Sequence, residues 1–277
     1  MIDLHGHSAL ITGSTKGVGR SIAEAFAAAG ANVVVHGRSR DANAEEVLAN
    51  CKGRGVQTAF VTGDLMGETI PAVDRLFADA IAALPSIDIL VNNAGTYIDK
   101  PFLEMDWETY DRTMRLNVAA PYFLTQRFAR HWISVARDSV AAGSRDGVAG
   151  YGRVLMIGSI NGRLAEPTHT CYDSSKGAID AMVRSLCVSL APHGIRVNGL
   201  APGLVRTPLT SIIDRDERFR RWMELHTPSG QVPDCDVCGS GAVYLCSDDA
   251  WHVHGQMLLV DGGMSAWQQP DMPEQWK

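Results

Sequence analysis

Tyr172 and Lys176 stand four positions apart in the run Tyr172-Asp173-Ser174-Ser175-Lys176, one turn apart if that run is helical. Ser159 lies thirteen positions before the tyrosine, just past the apolar run Val154-Leu155-Met156-Ile157. An ammonium buried beside a phenol lowers the phenol's pKa from about 10 toward working pH. A phenol tuned in that way can take or give a proton at an alcohol or a carbonyl. The same Tyr/Lys spacing occurs on many solvated helix faces. Its meaning therefore depends on the elements that would have to position it.

Ser8-Ala9-Leu10-Ile11 reads as a short buried strand. The turn Thr12-Gly13-Ser14-Thr15-Lys16-Gly17-Val18-Gly19 follows it. Ile22, Ala23, Ala25, Phe26 and Ala29 then recur at helical spacing, Gly30 ends the helix, and Val33-Val34-Val35 reads as a second strand. A glycine turn between a strand and a helix lets the backbone approach a pyrophosphate. The helix start adds free N–H groups and the positive end of its dipole. Further strands are expected at Thr58–Val61, Ile87–Val91, Val154–Ile157, Arg196–Leu200 and Met257–Val260. Near-continuous apolar strands alternating with helices imply an α/β fold. Its expected form is a doubly wound, Rossmann-like parallel sheet in three layers, with ligands at the C-terminal edge of the strands.

The turn is spaced Gly-x-x-x-Gly-x-Gly, and with Tyr-x-x-x-Lys downstream the chain resembles the short-chain dehydrogenase/reductase family. The resemblance runs from about Leu4 to Met264. It includes Asp64-Leu65, Asn92-Asn93-Ala94-Gly95, Asn117, Ser159, Tyr172, Lys176, Pro202-Gly203 and Val260-Asp261-Gly262-Gly263. It implies one catalytic NAD(P)-binding domain over residues 1–264, followed by a tail at 265–277. It also implies catalytic roles for Asn117, Ser159, Tyr172 and Lys176. Ser159 would hydrogen-bond the substrate oxygen, and Tyr172 would be the acid in reduction and the base in oxidation. Lys176 would stabilise the phenolate and hold the nicotinamide ribose. Asn117 would kink its helix and hold a water linked to the lysine; an Asn within Leu116, Val118, Ala119 and Ala120 is intrinsically disfavoured in a helix interior.

The expected cofactor cleft comprises Gly13, Thr15, Lys16, Gly17, Val18, Gly19, Asp64, Leu65, Asn93, Ala94, Gly95, Tyr172, Lys176, Pro202, Gly203, Val205 and Thr207. Asp64 would meet the adenine edge, and Thr207 the carboxamide or pyrophosphate. Residues 204–234 would form a lid over substrate. Cofactor choice is read from the end of the second strand. An acidic residue there would bind a ribose diol, but Gly37 occupies that position and Arg38 and Ser39 follow. With Lys16 in the turn, two cations and a hydroxyl suit a 2′-phosphate, so NADP is expected, with NAD possible. Asp173 stands where a small polar residue is usual, and Gln231 where many relatives carry arginine.

The net charge of −6 argues against a nucleic-acid partner. No apolar stretch is long enough to span a bilayer, and Met1-Ile2-Asp3-Leu4-His5 lacks a signal-peptide pattern, so no membrane partner and a cytoplasmic location are expected. Six cysteines are too few for a disulfide scaffold in this length. Cys235 and Cys238 have zinc-ligand spacing without a second pair, so no metal is expected, and Cys171 is read as lining the cleft wall. The polar stretch from Asp138 to Gly152 reads as a surface insertion.

Ala178, Ile179, Met182, Val183, Leu186, Cys187 and Leu190 cover more than one face of their helix. With Trp267 and Trp276 on the tail, they predict a homotetramer, or failing that a dimer. The expected activity interconverts a secondary alcohol and a ketone on a small-molecule substrate. Asn161, Glu166 and His169 hint at a sugar, polyol or related hydroxylated compound. A 3-oxoacyl-carrier-protein reductase and a non-catalytic dinucleotide-sensing protein are the alternatives.

Overall fold

In the computed structural model, which describes residues 2–141 and 152–267, the strands are β1 (Ser8–Ile11), β2 (Asn32–Gly37), β3 (Thr58–Thr62), β4 (Ile89–Asn92), β5 (Gly152–Ile157), β6 (Ile195–Pro202) and β7 (Met257–Val260). Among the described residues they form one seven-stranded parallel sheet in the order β3-β2-β1-β4-β5-β6-β7. Side chains alternate between the two faces because the strand period is two. Leu10, Val34, Leu90, Val154 and Val197 enter one core cluster. Ala9, Ile11, Val33, Val35, Ile89, Val91 and Leu155 enter the other. With both faces buried, nearly every strand position must be apolar, which explains the continuous runs in the sequence.

Helices α3 (Thr69–Ala83), α5 (Ala120–Ala141) and α6 (Thr170–Leu190) cover the first face through Leu76, Leu124, Phe128 and Ile179. Helices α1 (Gly17–Ala28), α2 (Ala42–Lys52) and α9 (Val237–Cys246) cover the second through Ile22, Phe26, Val47 and Ala242. The chain runs outward from β1 to β3 and returns to β4 on the other side of β1. A crevice therefore opens at the carboxyl ends of β1 and β4, where such sheets bind ligands.

Helix α4 (Trp107–Met114) passes into α5 through a π-helical turn, Arg115–Ala119, which carries Asn117. Two short helices, α7 (Ile212–Arg215) and α8 (Glu217–Leu225), lie in the segment read as a lid. Among the described residues no helix is long and apolar enough to cross a membrane.

Both ends of the stretch read as an insertion belong to regular elements. Helix α5 runs on through Asp138 to Ala141 and β5 starts at Gly152; the stretch between, 142–151, lies outside the described residues. Gly152, the first residue of β5, has no room for a side chain, because a Cβ there would strike the Trp132 ring, whose Nε1–H donates to the Ile87 carbonyl at 2.7 Å. Trp267, at the start of the tail, is 41 % exposed. Trp276 lies outside the described residues.

Candidate active site

The glycine turn is shaped from beneath by β4. The Thr12 hydroxyl accepts from the N–H groups of Asn93 and Ala94, both at 2.9 Å. The Asn93 amide donates to the carbonyls of Thr12 (2.9 Å) and Gly13 (3.1 Å). Asn93 therefore builds the cradle with its side chain instead of projecting into the cleft. Gly13 (φ +63) and Gly17 (φ +58) occupy the left-handed region that suits glycine. A Cβ on Gly19 would collide with the Asn93 amide and the Gly13 carbonyl, and one on Gly17 would sit 3.6 Å from Thr207. Thr207 thus faces the turn from the lid side, fixed by the Thr210 hydroxyl, which accepts from its N–H at 2.9 Å. Pro202 ends β6, Gly203 N–H donates to the Val260 carbonyl at 2.9 Å, and Val205 is buried. Helix α1 starts at Gly17 without a side-chain cap, which leaves its first N–H groups for an anion. A turn with no room for a Cβ at Gly19 and little at Gly13, at an uncapped helix start, fits a pyrophosphate.

His36, at the end of β2, was not singled out from the sequence. It is 3 % exposed; its Nδ1 accepts from Gly13 N–H at 3.0 Å and its Nε2 meets the Gly63 carbonyl at 3.2 Å. It thereby ties the phosphate turn to the loop that begins Gly63-Asp64-Leu65, where Leu65 is buried and the Asp64 carboxylate accepts from Met66 N–H at 3.0 Å. Burial pushes the His36 imidazole down to about 4. Its folded value lies below the unfolded one near 6.5. Between those values the unfolded chain binds the extra proton, so stability is present above pH 6.5 and falls as pH drops toward 4. The expected loss is on the order of 3 kcal/mol. Urea titrations across that range check it: His36→Asn, which can still accept and donate, flattens the slope, whereas an unchanged slope would assign it to other groups.

Gly37 follows, and a Cβ there would meet the Thr15 methyl at 2.7 Å. Beyond it Arg38, Ser39 and Lys16 are exposed, and neither Arg38 nor Lys16 has a carboxylate partner among the described residues. Arg40, by contrast, is paired with Glu45.

On the other side of the crevice α6 carries Tyr172 and Lys176. The Lys176 ammonium donates to the Ile157 carbonyl at 2.9 Å and lies 5.6 Å from the Tyr172 ring centroid. A Cβ on Gly95 would sit 3.4 Å from the Asn117 amide oxygen and 3.9 Å from that ammonium, so Gly95 lies against both groups. Ser159 lies near enough to the Tyr172 phenol to act on its titration, and its hydroxyl accepts from Asn161 N–H at 3.2 Å. Asn117 is 3 % exposed and its amide is spent on structure. The amide accepts from Thr96 N–H (2.8 Å) and donates to the Thr96 carbonyl (2.9 Å) and the Ser175 hydroxyl (3.0 Å). The π turn places that amide between the loop after β4 and α6.

The electrostatics differ from the sequence expectation. Burial raises the Tyr172 phenol above its usual value, and the nearby Ser159 hydroxyl opposes the shift. Burial also lowers the Lys176 ammonium to about 8. Desolvation outweighs the mutual help of the pair, because both groups are withdrawn from water together.

Asp173, a departure from the usual pattern, has a local role. Its carboxylate accepts from the Asn161 amide at 2.8 Å and from Glu166 N–H at 3.1 Å, which fixes the loop after Ser159 against α6. Tyr97, also not anticipated, packs edge-on against Tyr172 with ring centroids 5.5 Å apart. The Cys235 thiol meets the Ser21 hydroxyl at 3.1 Å and Cys238 is buried, so that pair packs α9 on α1. Cys171 is buried beside Tyr172.

Residues 13–265 match a family model described as enoyl-(acyl carrier protein) reductase. The chain is 32 % identical to L-rhamnose 1-dehydrogenase (NADP(+)) of Thermoplasma acidophilum, over 95 % of this chain and 98 % of that one. It is 30 % identical to a 3-oxoacyl-acyl-carrier-protein reductase of Aquifex aeolicus, over 95 % and 99 % of the two chains. Among solved structures it is similar to a gluconate 5-dehydrogenase from Burkholderia cenocepacia in complex with NADP and tartrate. That likeness has a TM-score of 0.85 and 30 % identity, over 96 % of this chain and 98 % of that one.

Proposed function

Because the chain belongs to the short-chain dehydrogenase/reductase family and is an NAD(P)-dependent oxidoreductase of CH–OH groups, we propose that it interconverts a sugar or polyol with its keto or lactone form, preferring NADP. The observation that carries this is the convergence of Ser159, Tyr172 and Lys176 on the crevice opposite the glycine turn. When bound, the dinucleotide would supply the hydride acceptor or donor. Ser159 holds the substrate oxygen. Tyr172 gives its proton to that oxygen in reduction and takes it in oxidation. Lys176 stabilises the phenolate and holds the ribose, and Asn117 fixes the loop and helix that carry these groups. Lys16, Arg38 and Ser39 take the 2′-phosphate.

The acidic and polar groups around Tyr172 support a hydroxylated substrate. The carrier-protein alternative needs an external basic patch, but Arg220 and Arg221 are paired with Glu217 and Glu224 on the same helix. The test is turnover of NADP(H) with neutral aldoses, polyols, aldonates and acyl thioesters. Turnover confined to acyl thioesters would overturn the reading.

We also infer a homotetramer built on α5 and α6. Ile179, Met182 and Val183 face the protein's own core. Val188 is 76 % exposed, Leu186 and Leu190 are only partly covered, and Tyr122 on α5 is exposed nearby. Light scattering on the eluting peak is expected to give four chain masses; a monomeric mass at micromolar concentration would refute it.

A further inference from the structure

A second phenol borders the catalytic one. Tyr97 lies two positions past Gly95, and its ring meets that of Tyr172 at 78°. Its hydroxyl hydrogen-bonds His169 Nε2 at 2.7 Å, and His169 Nδ1 faces a Glu166 carboxylate oxygen at 3.4 Å. Burial, reinforced by Asp99, Glu166 and Asp173, pushes the Tyr97 phenol up to about 12, so it keeps its proton at any working pH. His169 is nearly buried, and its Nδ1 has no hydrogen bond within normal limits. A buried polar atom with only a loose partner is costly unless something completes it. None of these three groups is required for the proton transfer assigned to Tyr172.

We propose that Tyr97, held by His169 and Glu166, is a specificity-determining residue that binds the hydroxyl on the carbon next to the reacting one, so that the substrate is an uncharged vicinal diol. This rests on the functional reading above and narrows it. A substrate whose reacting oxygen met Tyr172 and Ser159 would carry its next carbon close to Tyr97, whose ring lies 5.5 Å from that of Tyr172. A hydroxyl both donates and accepts, as do the Tyr97 hydroxyl and a neutral imidazole, so the match is reciprocal. The charge around the phenol is negative. Asp99, Glu166 and Asp173 act on it, whereas Lys100 is paired with Asp106 and Arg163 with Asp180. An aldonate carboxylate placed there would meet like charge.

The test compares a neutral aldose, a polyol, the matching aldonate and a cyclic secondary alcohol with a single hydroxyl. Tyr97→Phe is expected to lower kcat/KM for the vicinal diols about 10- to 100-fold, mainly through KM, and to change that for the simple alcohol by less than about twofold. The KM for NADP stays put. His169→Gln, which can still donate and accept, retains most of the diol preference, and His169→Leu loses it. An equal loss on diols and the simple alcohol, or no loss at all, overturns the inference. So does faster turnover of the aldonate than of the neutral sugar by the unmodified enzyme. If no polyhydroxylated compound is turned over, the functional reading falls and takes this one with it. Diol turnover with an indifferent Tyr97→Phe overturns this one alone.

Discussion

Tyr172→Phe is expected to lower kcat by about 10²–10⁴-fold with every substrate while NADP still binds, because one acid–base group is lost and nothing else. Phenylalanine keeps the ring that packs against Tyr97 and the helical position one turn before Lys176. It deletes only the oxygen that meets Ser159. The residues by themselves leave that phenol protonated, with Lys176 at about 8 beside it. Burial therefore sets it up as the acid of the reductive direction. The measurement is steady-state turnover paired with NADP titration by fluorescence. Near-normal kcat with any substrate would remove Tyr172 from the proton transfer, and loss of NADP affinity in step with kcat would show that the substitution had disturbed the cleft.

Much of this arrangement was legible because burial on two faces leaves a strand little freedom. Runs such as Val33-Val34-Val35 and Ile89-Leu90-Val91 could serve only a covered parallel sheet. The glycines of the turn were legible for a similar reason, since φ values of +63 and +58 and the absence of room for a Cβ restrict the residue type. What escaped was of another kind. The π turn at Arg115–Ala119 interrupts no hydrophobic pattern, so nothing in the periodicity marks it; only the disfavoured Asn117 pointed there. The end of α5 was lost because Asp138–Ala141 lacks an apolar stripe of its own and is helical by continuation. Tyr97 and His169 are 72 positions apart, and a contact between two loops leaves no local trace. His36 was hidden differently: at the end of a buried strand it looks like a lapse in the apolar pattern, and its purpose is visible only once Gly13 and Gly63 are brought to its two nitrogens. The direction of the Tyr172 shift was missed because spacing gives the partner but not the depth of burial.

Arg38→Asp is expected to reverse cofactor preference. At the end of β2, Gly37 cannot carry a side chain without meeting Thr15, so recognition of the ribose falls to the next positions and to the turn. Arg38 and Lys16 are exposed and have no carboxylate partner among the described residues, so both are available to a phosphate dianion without first breaking an ion pair. A charge-assisted hydrogen bond contributes about 1.5–3 kcal/mol, and repulsion from the new carboxylate adds to its loss. The kcat/KM for NADP should therefore fall by about 10²-fold or more. With NAD the same carboxylate can accept hydrogen bonds from the free ribose hydroxyls, so kcat/KM for NAD should rise. Lys16 still contributes charge, which leaves residual NADP use; adding Lys16→Ala removes it. Because the substitution is on the surface and away from Tyr172, kcat at saturating cofactor should change little. The decisive quantity is the ratio of kcat/KM values for the two cofactors before and after. A wild-type enzyme that already favours NAD, or a ratio that Arg38→Asp leaves unmoved, would mean that these cations are solvated and that the 2′ position is read elsewhere.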